Sequence, residues 1–358
     1  MALQYSAIER DRSVWDGCAD IYERKIVNGH PDVTAYETFE HGFIDRLVTH
    51  LTRDCNHTLH CYDFGCGSGR IHELLVPHLH AGTSNNADFT EPPEFHSGRI
   101  AHIGGIDFSE RMINLARSKL NEAGYGGLFP GRLSFDIGSA FDVPPYTGEH
   151  TPLAISVCNS IGVMQGPEGA CKLFRAMGNY VRERKGIAMI SCYCREAVAD
   201  YALGNYESTM DVSGQPCWLK PRTFASAGYR LIPRYFKRAY DRSPAITVDV
   251  LDSSGSLVQS GFTLERDPQA VEKVIATGVI ETYGDYRSRW YGTELIMSWM
   301  REFWHDGTLW HIPGARLDRL HGEPAQIALL DLSGSFDSLA RTWNLQPLPL
   351  HGEEQAHR

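Results

Sequence analysis

Apolar residues recur with two different periods along this chain, and the change of period divides it. Between residues 7 and 52 they recur every four positions, as at Phe39, Phe43, Leu47 and Leu51, which predicts amphipathic helices. Further along, short apolar runs alternate with amphipathic stretches. Strands are predicted near 59–64, 101–107, 132–137, 153–159 and 186–194, and helices over 70–80, 109–123 and 167–184. This alternation is typical of a parallel sheet with helices on both faces.

Two stretches depart from the alternation. Residues 81–99 are polar and contain a Pro-Pro pair, which predicts an inserted surface loop. Beyond residue 195 the pattern weakens. A β-hairpin is predicted over 246–264, helices over 293–304 and 336–343, and a buried strand over 326–332.

These patterns predict an α/β protein in four parts. An N-terminal helical lid (1–52) precedes a doubly wound, Rossmann-like core with a mainly parallel sheet (53–195). An α+β substrate-binding cap (196–325) follows, and a final strand, a helix and a flexible tail (326–358) close the chain.

Composition and charge narrow the class of protein. The 358 residues include 34 Lys and Arg against 44 Asp and Glu, a net charge of -10, which argues against a nucleic-acid partner. The N-terminus lacks the basic stretch and apolar core of a signal peptide, and no apolar run approaches the roughly 20 residues of a membrane span. The nine cysteines form no CxxC pair. We therefore expect a cytoplasmic protein with reduced thiols, no membrane association and no metal.

The sharpest motif is the run DFGCGSGR at residues 63–70, where the first strand turns directly into a helix. Glycines at such a turn let a ligand approach the backbone closely. Their G-x-G-x-G spacing differs from the dinucleotide pattern G-x-G-x-x-G. Asp107 ends the next strand, where a carboxylate can accept two hydrogen bonds from a ribose diol. Together these features indicate an adenosine-containing ligand.

The two segments DFGCGSGR at 63–70 and GIDFSERMINLAR at 105–117 resemble the class I S-adenosylmethionine (SAM)-dependent methyltransferases. The resemblance covers roughly residues 59–194 and implies SAM as the cofactor. It also implies that Asp107 holds the ribose and that Phe108 and Met112 lie near the adenine. The methionyl part of SAM would be surrounded by Asp63, Gly65, Cys66 and Gly67.

The chain departs from this family after the third strand, where many members have an aspartate that receives the adenine amino group. Ser139 stands at that position. The backbone at Ala140 and the carboxylate of Asp142 are alternative contacts. The adenine side is therefore predicted to involve Ser139 and Ala140.

The fourth strand ends in Asn159-Ser-Ile-Gly, which resembles a short stretch of small-amine methyltransferases. Asn159 is accordingly the first catalytic candidate and is predicted to contact cofactor or substrate, with a strand-end cap as the alternative. Tyr193, at the end of the fifth strand, is the second catalytic candidate. Tyr22 in the N-terminal helices is the predicted lid contact.

Methyl transfer from a sulfonium needs alignment more than covalent help, and no hydrolytic triad or metal motif is visible. The acceptor is predicted to be a small polar metabolite methylated at nitrogen or sulfur. Residues 281–291 are expected to form a loop that binds it, through Tyr283, Tyr286, Arg287 and Trp290.

Three alternatives remain open: C- or O-methylation in natural-product synthesis, methylation of RNA or protein, and a noncatalytic cofactor-binding module. The sequence does not indicate an oligomeric state.

Overall fold

A computed structural model describes most of the chain. The described residues are 12, 15–17, 19, 31–79, 100–194, 206–210, 216–221, 230–233, 245–251, 257–266, 279–283, 286–322 and 325–349. For 31–35 and for the strands between 206 and 290, only the backbone is described. Tyr22, the predicted insertion at 81–99 and the C-terminal tail lie outside these ranges. Within them, no helix is long and apolar enough to cross a membrane.

The strands and helices are numbered in chain order. The strands are β1 (Leu59–Phe64), β2 (Ile100–Asp107), β3 (Leu133–Ile137), β4 (Thr151–Ser156), β5 (Ile187–Tyr193), β6 (Tyr206–Met210), β7 (Pro216–Pro221), β8 (Arg230–Pro233), β9 (Ala245–Leu251), β10 (Leu257–Arg266), β11 (Val279–Tyr283), β12 (Tyr286–Trp290), β13 (Thr308–Pro313) and β14 (Ala325–Asp331). The helices are α1 (Pro31–Thr49), α2 (Arg70–Leu75), α3 (Glu110–Glu122), α4 (Tyr125–Leu128), α5 (Ser160–Val163), α6 (Gly166–Arg182), α7 (Thr293–Phe303), α8 (Gly314–Leu317) and α9 (Phe336–Thr342). A π-helical turn (His50–Asp54) extends α1, and a 3-10 turn (Val76–Leu79) follows α2.

Seven strands form the main sheet, in the order β13-β14-β5-β4-β1-β2-β3. The five strands from β1 to β5 are parallel. Strand β14 runs antiparallel to both of its neighbours, β5 and β13, so β13 points in the same direction as the five parallel strands. This arrangement confirms the predicted doubly wound, mainly parallel core. The chain runs outward from β1 through β2 to β3 and then returns to β4 on the other side of β1. The carboxyl ends of β1 and β4 therefore flank the topological switch point, where ligands bind in such sheets.

Helices cover both faces of this sheet because each presents an apolar stripe to it. The stripe on α1 is buried at Phe39, Phe43 and Leu47, and on the opposite face α6 buries Leu173 and Phe174. Each fully buried side chain of this size contributes about 1.5–3 kcal/mol. The strands β4 and β5 are apolar along almost their whole length, as expected for parallel strands covered on both sides.

The segment after β5 adds a second sheet. Strands β8 to β12 form an antiparallel sheet in the order β12-β11-β10-β9-β8, and β6 pairs with β7. The hairpin predicted over 246–264 is present as β9 and β10. The loop predicted over 281–291 is wrong, because β11 and β12 pair there as a hairpin and Tyr283 lies opposite Tyr286.

Described residues of the second sheet contact the core near the end of β5. The backbone of β12 contacts helix α5, and Tyr291 forms an isolated bridge with Cys194, just beyond β5. Helix α7 and strand β13 lie within the segment 196–325, yet α7 packs on α6 and β13 is the edge strand of the main sheet. The carboxyl edge of the main sheet thus lies beside the hairpin of β11 and β12.

Candidate functional site

A crevice opens at the carboxyl edge of the main sheet. Its walls come from four connections, residues 65–71 after β1, 108–112 after β2, 139–141 after β3 and 157–165 after β4. Trp15, from the N-terminal segment, also lines it. The empty volume is about 1070 Å³, including the part open to solvent. The position matches the topological switch point, where nucleoside-containing ligands bind in such sheets.

The turn after β1 is shaped by its glycines. Gly67 has a φ of 50°, and a Cβ built on it meets no protein atom within 4 Å. Gly69 has a φ of 83° and packs so closely that its Cβ would lie 3.0 Å from the Ala116 methyl and 3.1 Å from the Phe135 ring. Gly69 therefore serves the close packing of α2 and α3, whereas Gly67 leaves room at the crevice.

Asp107 connects this turn to the end of β2. Its Oδ2 accepts a hydrogen bond from the Gly67 N–H at 3.1 Å, and its Oδ1 accepts one from the Ser109 N–H at 2.9 Å. Burial raises the pKa of Asp107 to about 6, although both backbone N–H groups lower it. Each oxygen keeps lone pairs for a further donor. The side chain thus lies where the sequence places a ribose-binding carboxylate.

Asp63 is the second carboxyl group in the crevice wall. Its side chain is 2% exposed, and its Oδ1 has no hydrogen-bond partner in the protein. Burial raises the pKa of Asp63 well above its usual range, and the charges of Glu40 and Asp107 raise it further. A buried carboxyl oxygen without a partner costs free energy unless a ligand supplies a donor. A cationic donor suits this position best, since it favours the ionised carboxylate.

Glu40 is a third carboxyl group near the crevice, and the sequence analysis missed it. It comes from α1, is 1% exposed, and its Oε1 accepts a hydrogen bond from the Cys158 N–H at 2.8 Å. Burial raises the pKa of Glu40 to about 7, although hydrogen bonds from Cys158, Ser191 and Tyr36 lower it. A glutamate inside the apolar stripe of α1 was the available signal, because such residues are seldom buried without a reason.

The turn after β4 has an unusual backbone. Cys158 and Asn159 have φ values of 54° and 57°, in the left-handed region that non-glycine residues rarely adopt. Cys158 and Ser160 line the crevice, whereas Asn159 lies behind its wall. The Oδ1 of Asn159 accepts a hydrogen bond from the Tyr193 N–H at 3.2 Å. This hydrogen bond fixes the side chain against the end of β5.

Tyr193, the other catalytic candidate, also lies behind the crevice. Its side chain is 3% exposed, and its ring centroid is 4.7 Å from that of Tyr36. Neither Asn159 nor Tyr193 lines the crevice, and their catalytic roles stay predictions.

Most of the residues that the sequence predicts to bind the cofactor lie in the crevice wall. The crevice lining contains nine of the predicted residues, Asp63, Gly65, Cys66, Gly67, Asp107, Phe108, Met112, Ser139 and Ala140. Ser139 shapes the local turn, since its Oγ accepts a hydrogen bond from the Phe141 N–H at 3.2 Å. Tyr22 lies outside the described residues.

Further contacts join the N-terminal part of the chain to the crevice, and two of them link a side chain to a side chain. Asp16 accepts a hydrogen bond from the Ser109 hydroxyl at 2.6 Å, at the start of α3, next to Trp15. Arg70, in the crevice wall, forms an ion pair with Glu37 of α1. Neither contact has a local signal in the sequence, because both join residues far apart in the chain.

The four predicted substrate-binding residues lie on the β11–β12 hairpin. Tyr283 and Tyr286 flank its turn, and Arg287 and Trp290 lie on β12. Their side chains are outside the described part of the structure. Because β12 contacts α5, which follows the Cys158–Asn159 turn, this hairpin lies beside the crevice.

No family model matches the chain, and no curated protein matches its sequence. Several solved structures resemble it. A SAM-dependent methyltransferase from Clostridium acetobutylicum ATCC 824 has a TM-score of 0.47 and 13% identity, over 90% of this chain and 100% of that chain. The CcbJ methyltransferase from Streptomyces caelestis has a TM-score of 0.48 and 12% identity, over 88% of this chain and 96% of that chain.

Magnesium protoporphyrin IX methyltransferase (ChlM) from Synechocystis PCC 6803 was solved with bound SAH (S-adenosylhomocysteine). It has a TM-score of 0.35 and 18% identity, over 52% of this chain and 71% of that chain. At identities and TM-scores this low, the function of the chain has to be inferred from the crevice itself.

Proposed function

We propose that the chain is a SAM-dependent methyltransferase of the class I type. The observation that carries the proposal is the crevice at the switch point, where Gly67, Asp107 and the unpartnered oxygen of Asp63 converge. Each of these groups meets a different part of an adenosine-containing sulfonium.

The adenosine end of SAM fits the wall formed after β2 and β3. Both oxygens of Asp107 are fixed by backbone N–H groups and can accept hydrogen bonds from the two ribose hydroxyls. Phe108, Met112 and Ala140 supply apolar surface beside this position for the adenine. Trp15 lines the same crevice and would shield the bound cofactor from water.

The methionyl end fits the turn after β1. Asp63 offers a buried, unpartnered oxygen to the ammonium group of SAM, and the open space at Gly67 admits the chain. A dinucleotide fits less well, because its pyrophosphate is doubly negative and would face the carboxyl groups of Asp63 and Asp107. A pyrophosphate also binds at the N-terminus of the helix that follows such a turn, and here that helix, α2, is only six residues long.

When bound, SAM supplies a methyl group that the sulfonium has already activated. The chain then has to exclude water, hold the cofactor and orient an acceptor in line with the methyl group. Cys158 and Ser160 form the wall where the acceptor is expected, and the Ser160 hydroxyl donates a hydrogen bond to the Val157 carbonyl at 2.7 Å. A proton has to be removed only when the acceptor carries one.

We further propose that the acceptor is a small polar metabolite methylated at nitrogen or sulfur, bound with the help of the β11–β12 hairpin. Arg287 and Arg289 share one face of β12, and Tyr286 and Trp290 share the other, so either the arginine pair or the aromatic pair is available to one acceptor. Arginine can bind a substrate carboxylate through two parallel hydrogen bonds. C- or O-methylation of a small acceptor is equally compatible with this crevice.

The experiment is a transfer screen with methyl-labelled SAM. The enzyme is incubated with fractionated pools of small metabolites, total RNA and total protein, and labelled products are identified by mass spectrometry. Labelling of one low-mass product supports the small acceptor. Exclusive labelling of RNA or protein contradicts it while retaining the methyltransferase. Binding of SAM without any transfer would favour a noncatalytic cofactor-binding module.

A further inference from the structure

Three buried carboxyl groups lie close together at the crevice, with Asp63 and Asp107 in its wall and Glu40 behind it. Asp63 comes from β1, Asp107 from the end of β2, and Glu40 from α1, and none is more than 9% exposed. Within the described ranges, no ion pair involves any of the three. Buried carboxyl groups without a cation are costly, which raises the question of what compensates them.

The surroundings of Glu40 are neutral or acidic rather than basic. The hydroxyl groups of Tyr36 and Ser191 bond to each other at 2.7 Å beside it. The titratable groups that face this region are Tyr36 on α1, Asp63 on β1, Cys158 after β4, and Cys192 and Tyr193 on β5, with Asp107 behind Asp63. No protein cation in the described residues compensates the group, whereas a cationic ligand in the crevice could.

Glu40 also shapes the crevice wall through the backbone. Its Oε1 accepts the Cys158 N–H at 2.8 Å, and Cys158 is the first of two residues with positive φ in the turn after β4. The glutamate therefore holds a strained turn that faces the ligand, and it brings a negative charge to the same place. Its two contributions can be separated, because a glutamine can still accept the Cys158 hydrogen bond but carries no charge.

We propose that Glu40 is a positioning and specificity-determining residue that makes the crevice prefer the sulfonium cofactor over its neutral thioether product. This inference rests on the proposed function. SAM and its product S-adenosylhomocysteine (SAH) share the adenosine, the ammonium and the carboxylate, and differ in the methyl group and the charge on sulfur. A negative charge behind the crevice stabilises SAM more than SAH and so lowers product inhibition.

The test is a calorimetric titration of the full-length protein with SAM and with SAH. For Glu40→Gln we expect SAM to bind about tenfold more weakly and SAH to change by less than about twofold. Glu40→Asp keeps the charge and should keep most of the preference for SAM. Asp45→Asn is the matched control, because Asp45 lies on the same helix, is 54% exposed and pairs with His78 away from the crevice. This control should change neither affinity.

If Glu40→Gln does not fold, the wild-type protein still tests the inference. Since burial raises the pKa of Glu40 to about 7, its charge is lost as the pH falls below that value. The ratio of the SAH and SAM dissociation constants should therefore fall between about pH 8 and pH 6.

Different outcomes separate this inference from the proposed function. If Glu40→Gln weakens SAM and SAH equally, or if Glu40→Asp loses discrimination as fully as Glu40→Gln, the residue is only structural. A pH-independent ratio in the wild type contradicts the inference as well. If the wild type binds neither SAM nor SAH, the proposed function fails first and this inference fails with it.

Discussion

Gly67 and Gly124 offer a matched pair of substitutions to alanine. Both have positive φ, 50° and 74°, and a Cβ built on either meets no protein atom within 4 Å. Placing an alanine in this backbone region costs about 1–2 kcal/mol at each site. The two differ in place, since Gly67 lines the crevice and Gly124 follows the far end of α3, about 20 Å along that helix.

A methyl group at Gly67 occupies space that the cofactor needs, so only this variant should lose binding. Overpacking of a fitted site costs about 1–3 kcal/mol, which corresponds to an increase of about 5- to 150-fold in the dissociation constant. Urea denaturation would measure the loss of stability in both variants, and calorimetric titration with SAH would measure binding.

The expected result is a similar loss of stability in both variants with weakened SAH binding in Gly67→Ala only. The reasoning would be refuted if Gly67→Ala bound SAH as the wild type does. It would also be refuted if Gly124→Ala weakened SAH binding to the same extent.

Three further predictions concern other residues of the crevice and core. Asp107→Asn should weaken adenosine binding at least about tenfold by losing a charged acceptor, and should leave the binding of 2′,3′-dideoxyadenosine unchanged in the same titration. Trp15→Ala should raise the SAH dissociation constant about 2- to 12-fold without lowering the melting temperature, because one aromatic wall is lost; an unchanged affinity would remove Trp15 from the site. Burial lowers the pKa of His72 from 6.5 to about 3, so the folded protein disfavours protonation and stability falls as the pH drops below 6.5. The loss from His72 at pH 5 is about 2 kcal/mol, and His72→Gln should remove that part of the pH dependence in urea denaturation.

The parts of the fold that sequence predicts well are those with a strong local cause. The glycine turn follows a short apolar strand and opens a helix, so β1 and α2 are visible in a window of a dozen residues. The end of β4 shows the limit of this approach. The apolar pattern predicts a strand to residue 159, but the strand ends at Ser156 because Cys158 and Asn159 adopt positive φ. That conformation is supported by Glu40, which lies 118 residues away in the chain.

The residues of the candidate site also divide into those with a local signal in the sequence and those that depend on distant contacts. Asp63, Gly67 and Asp107 belong to local motifs, and the sequence places all three in one crevice. Glu40 and Arg70 contact residues far away in the chain, Cys158 and Glu37, and local patterns do not indicate these two contacts. Strand β13 is also not predicted, and among the described strands it pairs only with β14, at the edge of the main sheet.

The central claim is that the crevice binds an adenosine sulfonium, and titration of the wild-type protein with SAH, SAM and NAD tests it most directly. We predict binding of one SAH per chain, displacement of SAH by SAM, and no competition from NAD. Absence of binding by both SAM and SAH, or binding of NAD in their place, would contradict the account.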